Sequence, residues 1–325
     1  MNIINLSCKM RCKTISGRFM AQIWPIGGGK GGSGKSFLTS SLGRLSAGLG
    51  KRTLVIDLDL GAANLHTLVG VPSPQKGFSD FIRKRIVQLE DTVVETPFEN
   101  LFLISGAQDN FDIANLPYEQ KIKTLRAITR LDYDCILLDL GAGTSFNTLD
   151  FFLISQHGIF ITTPEPTSIE NVYRLIRSIY FRQIRYGFSV AAFKELEEEV
   201  QDQFGDGAFN KPECMIKVIA QTHPEKYAQL QDEFNAFRFK LIINQMRKHD
   251  NAALGMQMSR MIEKHLGLHI EFAGNVAYDD HVHDAICQRV PFLERYPCTK
   301  TACDLREVGK QVVQNAGKQL MFQYM

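Results

Sequence analysis

The chain has 325 residues, of which 44% are hydrophobic and 22% charged, a composition that excludes a largely disordered protein. Its formal net charge of +2 gives little long-range field and argues against both a strongly basic nucleic-acid binder and an acidic solvating protein. No window reaches the roughly 18 consecutive apolar residues that a membrane-spanning helix needs. The sequence therefore predicts a soluble, cytoplasmic protein.

The cysteines follow no pattern that binds a metal or builds a disulfide framework. They are Cys8, Cys12, Cys135, Cys214, Cys287, Cys298 and Cys303. An odd and scattered set of this kind is typical of reduced thiols in a cytosolic protein. We therefore predict no zinc or cluster site.

The chain is expected to consist of a disordered tail and a folded domain. Residues 1–19 lack the apolar core of a secretory signal and are predicted to be a disordered tail. A strand-like run begins directly at Met20, so a start at that residue is the alternative. A single domain is expected over residues 20–325.

Short β-branched runs alternate with helical stretches in this domain, which is typical of a parallel sheet with crossover helices. The predicted strands are residues 21–26, 53–58, 101–105, 135–140, 158–163, 239–244 and 269–276. The first intervening helix places Leu38, Leu42, Leu45 and Leu49 at spacings of three and four residues. We predict a doubly wound α/β fold with a mostly parallel sheet.

The alternation breaks between about residues 181 and 238, where we predict a helical insertion. Residues 194–203 carry a dense run of charges, residues 204–207 are typical of a turn, and residues 225–237 are predicted to form a second helix. Two interpretations stay open for this segment. It is either a solvated hairpin that packs on the sheet or a lobe that binds a partner.

The first predicted strand leads into a glycine-rich loop that opens into a helix, as the P-loop pattern G-x-x-x-x-G-K-[ST] requires. Its glycines let backbone N–H groups approach phosphate oxygens, and the helix N-terminus adds a favourable dipole. Lys35 supplies a charge to the β and γ phosphates, and Ser36 supplies a hydroxyl to Mg²⁺. The residues expected to bind the nucleotide are Gly29, Lys30, Gly31, Gly32, Ser33, Gly34, Lys35, Ser36 and Phe37.

Carboxylates end two further apolar strands. Asp57 and Asp59 come at the end of the second predicted strand, and Asp139 comes at the end of the fourth. Since ligands bind at the carboxyl ends of parallel strands in open α/β sheets, we expect these acids beside the P-loop. Asp139 is predicted to contact Mg²⁺ through water. For Asp57 and Asp59, capping of the following turn is the alternative.

A second lysine in the P-loop, Lys30, marks the deviant subgroup of this motif, and the chain here resembles the MinD/ParA family of dimeric ATPases. The resemblance implies that Lys30 reaches across an ATP-bound homodimer and stabilises charge on the partner's phosphates. It also implies that Asp57 lies in the Mg²⁺ water shell and that Asp59 orients the attacking water. The expected catalytic residues are Lys30, Lys35 and Asp59, and the expected metal site for MgATP consists of Ser36, Asp57 and Asp139.

Two later segments match places where this family contacts the base. Asn244 ends the sixth predicted strand and is expected to read adenine through its amide, with a simple turn former as the alternative. Residues 274–280 look like the family's other base-contacting loop, and residues 141–144 are interpreted as switch II. Ser168 or Thr167 is predicted to cap the helix after the fifth strand.

Residues 59–71 and 164–170 look most like the FlhG branch of the family, the MinD-like regulators of flagellar number and placement. MinD-like proteins often end in an amphipathic helix that binds membrane only when dimerisation doubles it. Such a helix is one interpretation of the C-terminus, and a core helix is the other. The apolar residues concerned are Leu305, Val308, Val312, Val313, Ala316 and Leu320, followed by Met321, Phe322 and Tyr324.

The sequence thus predicts a MgATP-dependent dimerising ATPase that regulates the position or number of a cellular structure, such as flagella or the division site. An unidentified protein partner is expected, and peripheral contact with the inner face of the cell membrane is an additional option. ParA-like DNA partitioning and a non-hydrolysing regulatory module are the alternatives, and the balanced charge argues against DNA. An iron–sulfur carrier is disfavoured because no C-x-x-C occurs.

Overall fold

The computed structural model describes residues 21–61, 63–107 and 116–314, which contain one eight-stranded sheet with helices on both faces. The strands are β1 (Gln22–Gly28), β2 (Thr53–Leu58), β3 (Val94–Glu95), β4 (Leu101–Ile104), β5 (Cys135–Leu140), β6 (His157–Thr162), β7 (Arg238–Met246) and β8 (Ile270–Ala277). The helices are α1 (Lys35–Gly48), α2 (Leu65–Leu68), α3 (Phe78–Ile82), α4 (Tyr118–Ile128), α5 (Phe146–Phe152), α6 (Pro166–Tyr186), α7 (Val190–Phe204), α8 (Pro212–Thr222), α9 (Pro224–Ala236), α10 (Leu254–Leu266), α11 (Asp280–Cys287), α12 (Phe292–Arg295) and α13 (Lys300–Gly309).

The strand order in the sheet is β3-β4-β2-β5-β1-β6-β7-β8. All neighbouring strands are parallel except the edge pair β3 and β4. The predicted doubly wound, mostly parallel sheet is confirmed, and all the predicted strands are present. Strand β3 is an addition, and its two residues are too few to show a period in the sequence.

The central strands explain why apolar runs dominate the sequence signal. Every residue of β2 and β5 is buried, because helices cover both faces of a parallel sheet. Leu38 and Leu42 of α1 pack on one face, whereas Phe152 of α5 and Leu175 of α6 pack on the other. This arrangement leaves the carboxyl ends of the strands free to form a site.

Helix α6 begins at Pro166, with Glu165 in the N-cap position. The prediction of Ser168 or Thr167 as the N-cap is therefore wrong. Proline suits the first helical position because the N–H that it lacks would have no partner within the helix. The hydroxyl oxygen of Ser168 instead accepts a hydrogen bond from the backbone N–H of Thr163 at 3.1 Å.

Three helices, α7 to α9, occupy the predicted helical insertion. Its predicted start near residue 181 falls inside α6, which continues to Tyr186 and buries Ile184. The apolar sides of the three helices join the main core through Leu196, Met215 and Leu230. The segment is thus packed on the domain and not a separate body.

The last helix of the described residues, α13, continues into a π-helical turn, Lys310–Gln314. Leu305, Val308 and Val312 are buried in the core, so the core-helix interpretation holds for these three. The predicted tail at residues 1–19 and the apolar residues from Ala316 onward lie outside the described residues. Within the described ranges, no helix combines the length and apolar character needed to cross a membrane.

Candidate functional site

The glycine-rich loop between β1 and α1 is shaped by glycines, at which a side chain would cause either backbone strain or a steric clash. Gly32 and Gly34 have φ angles of 80° and 87°, a left-handed conformation that favours glycine. A Cβ atom at Gly29 would lie 2.1 Å from the carbonyl carbon of Asn171, so the backbone of α6 touches the loop directly. The loop therefore presents backbone N–H groups around the N-terminus of α1, which is an arrangement that binds phosphate.

The two lysines of the loop have opposite environments. Lys35 is buried, with 7% of its surface exposed, whereas Lys30 is exposed at the tip of the loop. Ser33 donates a hydrogen bond from its hydroxyl to the carbonyl oxygen of Lys30 at 3.3 Å. The Lys35 ammonium is therefore directed into the site of its own chain, and the Lys30 side chain is open to the surroundings.

Two predicted metal-site acids lie side by side on adjacent strands. Asp57 of β2 pairs in register with Asp139 of β5, and both carboxylates are buried. The Asp57 oxygens accept hydrogen bonds from the backbone N–H groups of Asp59 at 3.2 Å and Leu65 at 3.1 Å. Asp57 thus caps the turn that follows it, as the alternative interpretation held, while remaining next to Asp139.

Burial raises the pKa of both acids. For Asp57 the charge of Asp139 adds to this effect, and the N–H groups of Leu65 and Asp59 oppose it. For Asp139 burial raises the pKa to about 6, against the lowering effects of the Ser36 hydroxyl and the Lys35 ammonium. Two neighbouring buried carboxylates favour a nearby cation, because each disfavours ionisation of the other.

The donor set fits Mg²⁺. The Asp139 Oδ1 atom accepts a hydrogen bond from Thr39 at 3.3 Å, but its buried Oδ2 atom has no hydrogen-bond partner among the described residues. A buried charged oxygen without a partner is costly unless a ligand or water satisfies it. Carboxylate and hydroxyl oxygens from Asp139, Asp57 and Ser36 are the hard ligands that Mg²⁺ accepts, directly or through water.

Asp59 and the predicted switch II segment lie together. A Cβ atom at Gly141 would be 3.3 Å from Oδ1 of Asp59. The backbone N–H of Gly143 approaches the carbonyl oxygen of Gly28 at 3.4 Å. The segment after β5 therefore contacts both the start of the P-loop and the acid that follows β2.

The two predicted base-side segments lie together at the end of β7, and Asn244 also contacts the loop. The buried Asn244 side chain donates from Nδ2 to the carbonyl oxygen of Ser33 at 2.9 Å. The backbone N–H of Tyr278 donates to the carbonyl oxygen of Met246 at 2.9 Å, which joins residues 274–280 to the end of β7. Phe37 differs from the other loop residues because its ring is buried against Phe292, so only its backbone remains for a ligand.

Two polar residues at this site were not predicted from the sequence. Thr39 supports Asp139 from the first turns of α1, and Gln245 donates from Nε2 to the carbonyl oxygen of Gly32 at 2.9 Å. The position of Thr39, four residues after Lys35 on a helix, was a usable signal because residues so spaced share a face. No sequence signal placed Gln245 on the loop.

A groove of about 620 Å³ lies elsewhere, between the end of α3 and helix α4. Its lining includes Phe81, Leu89, Tyr118 and Lys123. None of the predicted site residues lines it, so the chemistry of the loop and the acids belongs to a different place on the molecule.

The fold and this site define a P-loop nucleotide-binding protein. Residues 25–292 match the model of the CobQ/CobB/MinD/ParA nucleotide binding domain. The chain therefore belongs to this family, whose MinD/ParA members are nucleotide-binding ATPases.

Named relatives refine this placement. The chain is 21% identical to the antiactivator FleN of Pseudomonas aeruginosa over 294 residues, which cover 90% of this chain and 86% of FleN. It is 33% identical to a putative septum site-determining protein MinD of Guillardia theta over 159 residues, 48% of this chain and 58% of that protein. The structure of the septum site-determining protein MinD from Pyrococcus horikoshii OT3, complexed with Mg-ADP, aligns with a TM-score of 0.62 at 19% identity. That alignment covers 92% of this chain and 98% of the other and shows a shared fold.

Proposed function

We propose that this protein is a switch that binds MgATP, dimerises through the bound nucleotide and is reset by hydrolysis. The contrast between the two loop lysines carries this proposal. Lys35 is buried beside its own chain's acids, while Lys30 is exposed at a loop tip where nothing lies within 4 Å of a Cβ atom placed on Gly31 or Gly32. A lysine in that position is accessible to the phosphates of a second copy, which is the role that the family resemblance implies.

The chemistry follows from the positions of the polar groups. The N–H groups of residues 29–36 and the Lys35 ammonium would hold the phosphates, and Ser36, Asp57 and Asp139 would hold Mg²⁺, which neutralises charge on the β and γ phosphates. Asp59, beside Gly141, would orient the attacking water. Lys30 of the second copy would stabilise the charge that develops during transfer.

The position of the segment after β5 suggests how the protein would respond to the γ-phosphate. The segment at residues 141–145 contacts Gly28 through the backbone of Gly143 and leads directly into α5. Occupation of the γ-phosphate position would order this segment and Asp59 together, and hydrolysis would release them. In this proposal Asn244 and residues 274–280 contact the base.

The biological task that we propose is regulation of the position or number of a cellular structure, such as flagella or the division site, through a protein partner. The similarity to the antiactivator FleN over 90% of this chain supports it. We place the protein in the cytoplasm, with peripheral contact at the inner face of the membrane as an option for the ATP-bound dimer. ParA-like DNA partitioning is the competing function, and it requires DNA binding that weakens steeply with salt.

Sedimentation velocity with ATP or ADP tests the switch. We expect a dimer with ATP only, loss of that dimer in Lys30→Ala, and its retention in Lys264→Ala, which removes another exposed lysine, from α10. The rate of ATP hydrolysis per chain should rise with protein concentration. A monomer under every condition would instead favour the non-hydrolysing regulatory module.

A further inference from the structure

Two consecutive amide residues near the end of strand β7 both contact the P-loop. Asn244 donates to the carbonyl oxygen of Ser33 and Gln245 to that of Gly32, each at 2.9 Å. Successive side chains of a regular strand point to opposite faces of the sheet. Two neighbours that reach consecutive carbonyls of one loop therefore require an irregular backbone.

The backbone of β7 is irregular at this point. Gln245 has a φ angle of 59°, in the left-handed region that costs free energy for residues other than glycine. The pairing of β7 with β8 also shifts register between Ile243 and Met246, as a β-bulge does. Such conformations persist where the surroundings enforce them and often re-aim a side chain at a functional site.

The loop tip has few other restraints. Gly31 and Gly32 bring no side chain, and a Cβ atom built on either would meet nothing within 4 Å. Ser33, which binds the Lys30 carbonyl oxygen, is held by Asn244 one residue further from the tip. Among side chains from outside the loop in the described residues, the Gln245 amide therefore holds the tip at the point closest to Lys30.

We propose that Gln245 is a positioning residue that fixes the tip of the P-loop and, through it, Lys30. This inference rests on the proposed function for its consequence: a loosened tip weakens the trans contact of Lys30 more than it weakens binding of the nucleotide by the same chain. Gln245 acts through the loop and does not touch the reacting atoms. Its donated hydrogen bond is the property that matters.

Three variants separate the hydrogen bond from size and charge. Gln245→Met keeps the length of the side chain without a donor or a charge, and Gln245→Glu replaces the donor by an acceptor that faces the Gly32 carbonyl. Gln245→Lys restores a donor on a long, flexible stem. All three keep a non-glycine residue in the left-handed conformation, so backbone strain is matched.

The first readout needs no nucleotide. Limited trypsin digestion of the full chain, followed by mass spectrometry, measures cleavage after the exposed Lys30, which requires local opening of the loop. We expect cleavage about fivefold faster in Gln245→Met and Gln245→Glu, the factor for loss of one ordinary hydrogen bond. Because Gln245→Lys adds a trypsin site of its own, the initial rate of cleavage after Lys30 alone is compared, and in this variant it should equal that of the unchanged protein.

The second readout uses ATP. In Gln245→Met we expect the KM for ATP to change less than about twofold while kcat and the ATP-dependent dimer decrease by about fivefold or more, with recovery in Gln245→Lys. Unchanged cleavage after Lys30 in Gln245→Met, or failure of Gln245→Lys to restore it in a folded protein, would overturn the inference. If the unchanged protein neither dimerises nor hydrolyses ATP, the proposed function fails, and the cleavage rates still decide whether Gln245 holds the loop.

Discussion

Replacement of Asp150 by alanine should lower the free energy of unfolding more than any exposed acid could. The carboxylate of Asp150 is fully buried on α5 and accepts hydrogen bonds from Arg182 of α6, from Nε at 2.7 Å and from Nη2 at 3.0 Å. The Lys121 ammonium of α4 and the Tyr186 hydroxyl also contact it. Removal of Asp150 therefore leaves two cations without their shared partner.

The burial of these charged groups determines how much stability the Asp150→Ala variant should lose. An exposed ion pair contributes at most about 1 kcal/mol, whereas a buried charge that loses its partner costs about 3–5 kcal/mol. The side chain of Lys121 is only 6% exposed, and that of Arg182 is 20% exposed, so water can compensate Arg182 in part. We therefore expect Asp150→Ala to cost about 3 kcal/mol, near the lower end of that range.

Urea denaturation followed by circular dichroism measures this cost. With a slope of about 3 kcal/mol per M, the midpoint should fall by about 1 M. Asp132→Ala is the matched control because Asp132 forms an exposed ion pair with Arg52, and its midpoint should hardly move. Adding Lys121→Met to Asp150→Ala should recover part of the loss, since it removes the stranded charge. Equal midpoints for the two alanine variants would refute the reasoning.

Three other substitutions test the site and the core. Gly29→Ala should abolish binding of a fluorescent ATP analogue without unfolding the chain, because its Cβ would lie 2.1 Å from the carbonyl carbon of Asn171. Asp59→Ala should trap the ATP-bound dimer, seen as a dimer that persists in sedimentation after hours with ATP, and normal decay of that dimer would exclude Asp59 from hydrolysis. Burial beside Trp24 lowers the pKa of His157 from 6.5 to about 4. Between these two pH values the imidazole is therefore protonated in the unfolded chain but neutral in the folded one. The contribution of His157 to the free energy of unfolding should be fully present above about pH 6.5, and that free energy should fall by up to about 3 kcal/mol as the pH approaches 4. His157→Gln should flatten that dependence in denaturation curves taken across this pH range.

The parts of the fold that the sequence predicted are those with local signals. Buried parallel strands are continuous apolar runs, and β2 and β5, whose residues are all buried, were located at their observed bounds. The P-loop combines a spacing rule with a strand and a helix. The acids Asp57 and Asp139 were expected at one edge because parallel strands end there together.

The features that were not predicted depend on contacts between residues that are distant in sequence. Gln245 reaches Gly32 only because β7 bulges, and a bulge of one residue has no periodic signature. The start of the additional helices was misplaced because α6 keeps burying apolar residues as far as Ile184. Asp150 carries no motif, and its partners lie on two helices that only the tertiary fold brings to it.

Helix α6 physically links the nucleotide loop to the additional helices. The backbone of Asn171 near its start touches Gly29, and Gln183 near its end donates to Glu233 of α9 at 2.6 Å. Twelve residues of helix separate these contacts, or about 18 Å at 1.5 Å per residue. Tyr180 stacks on Phe234 of α9 with ring centroids 4.3 Å apart. Helix α6 therefore packs against the P-loop at one end and against α9 at the other, so a single helix joins the loop to the additional helices.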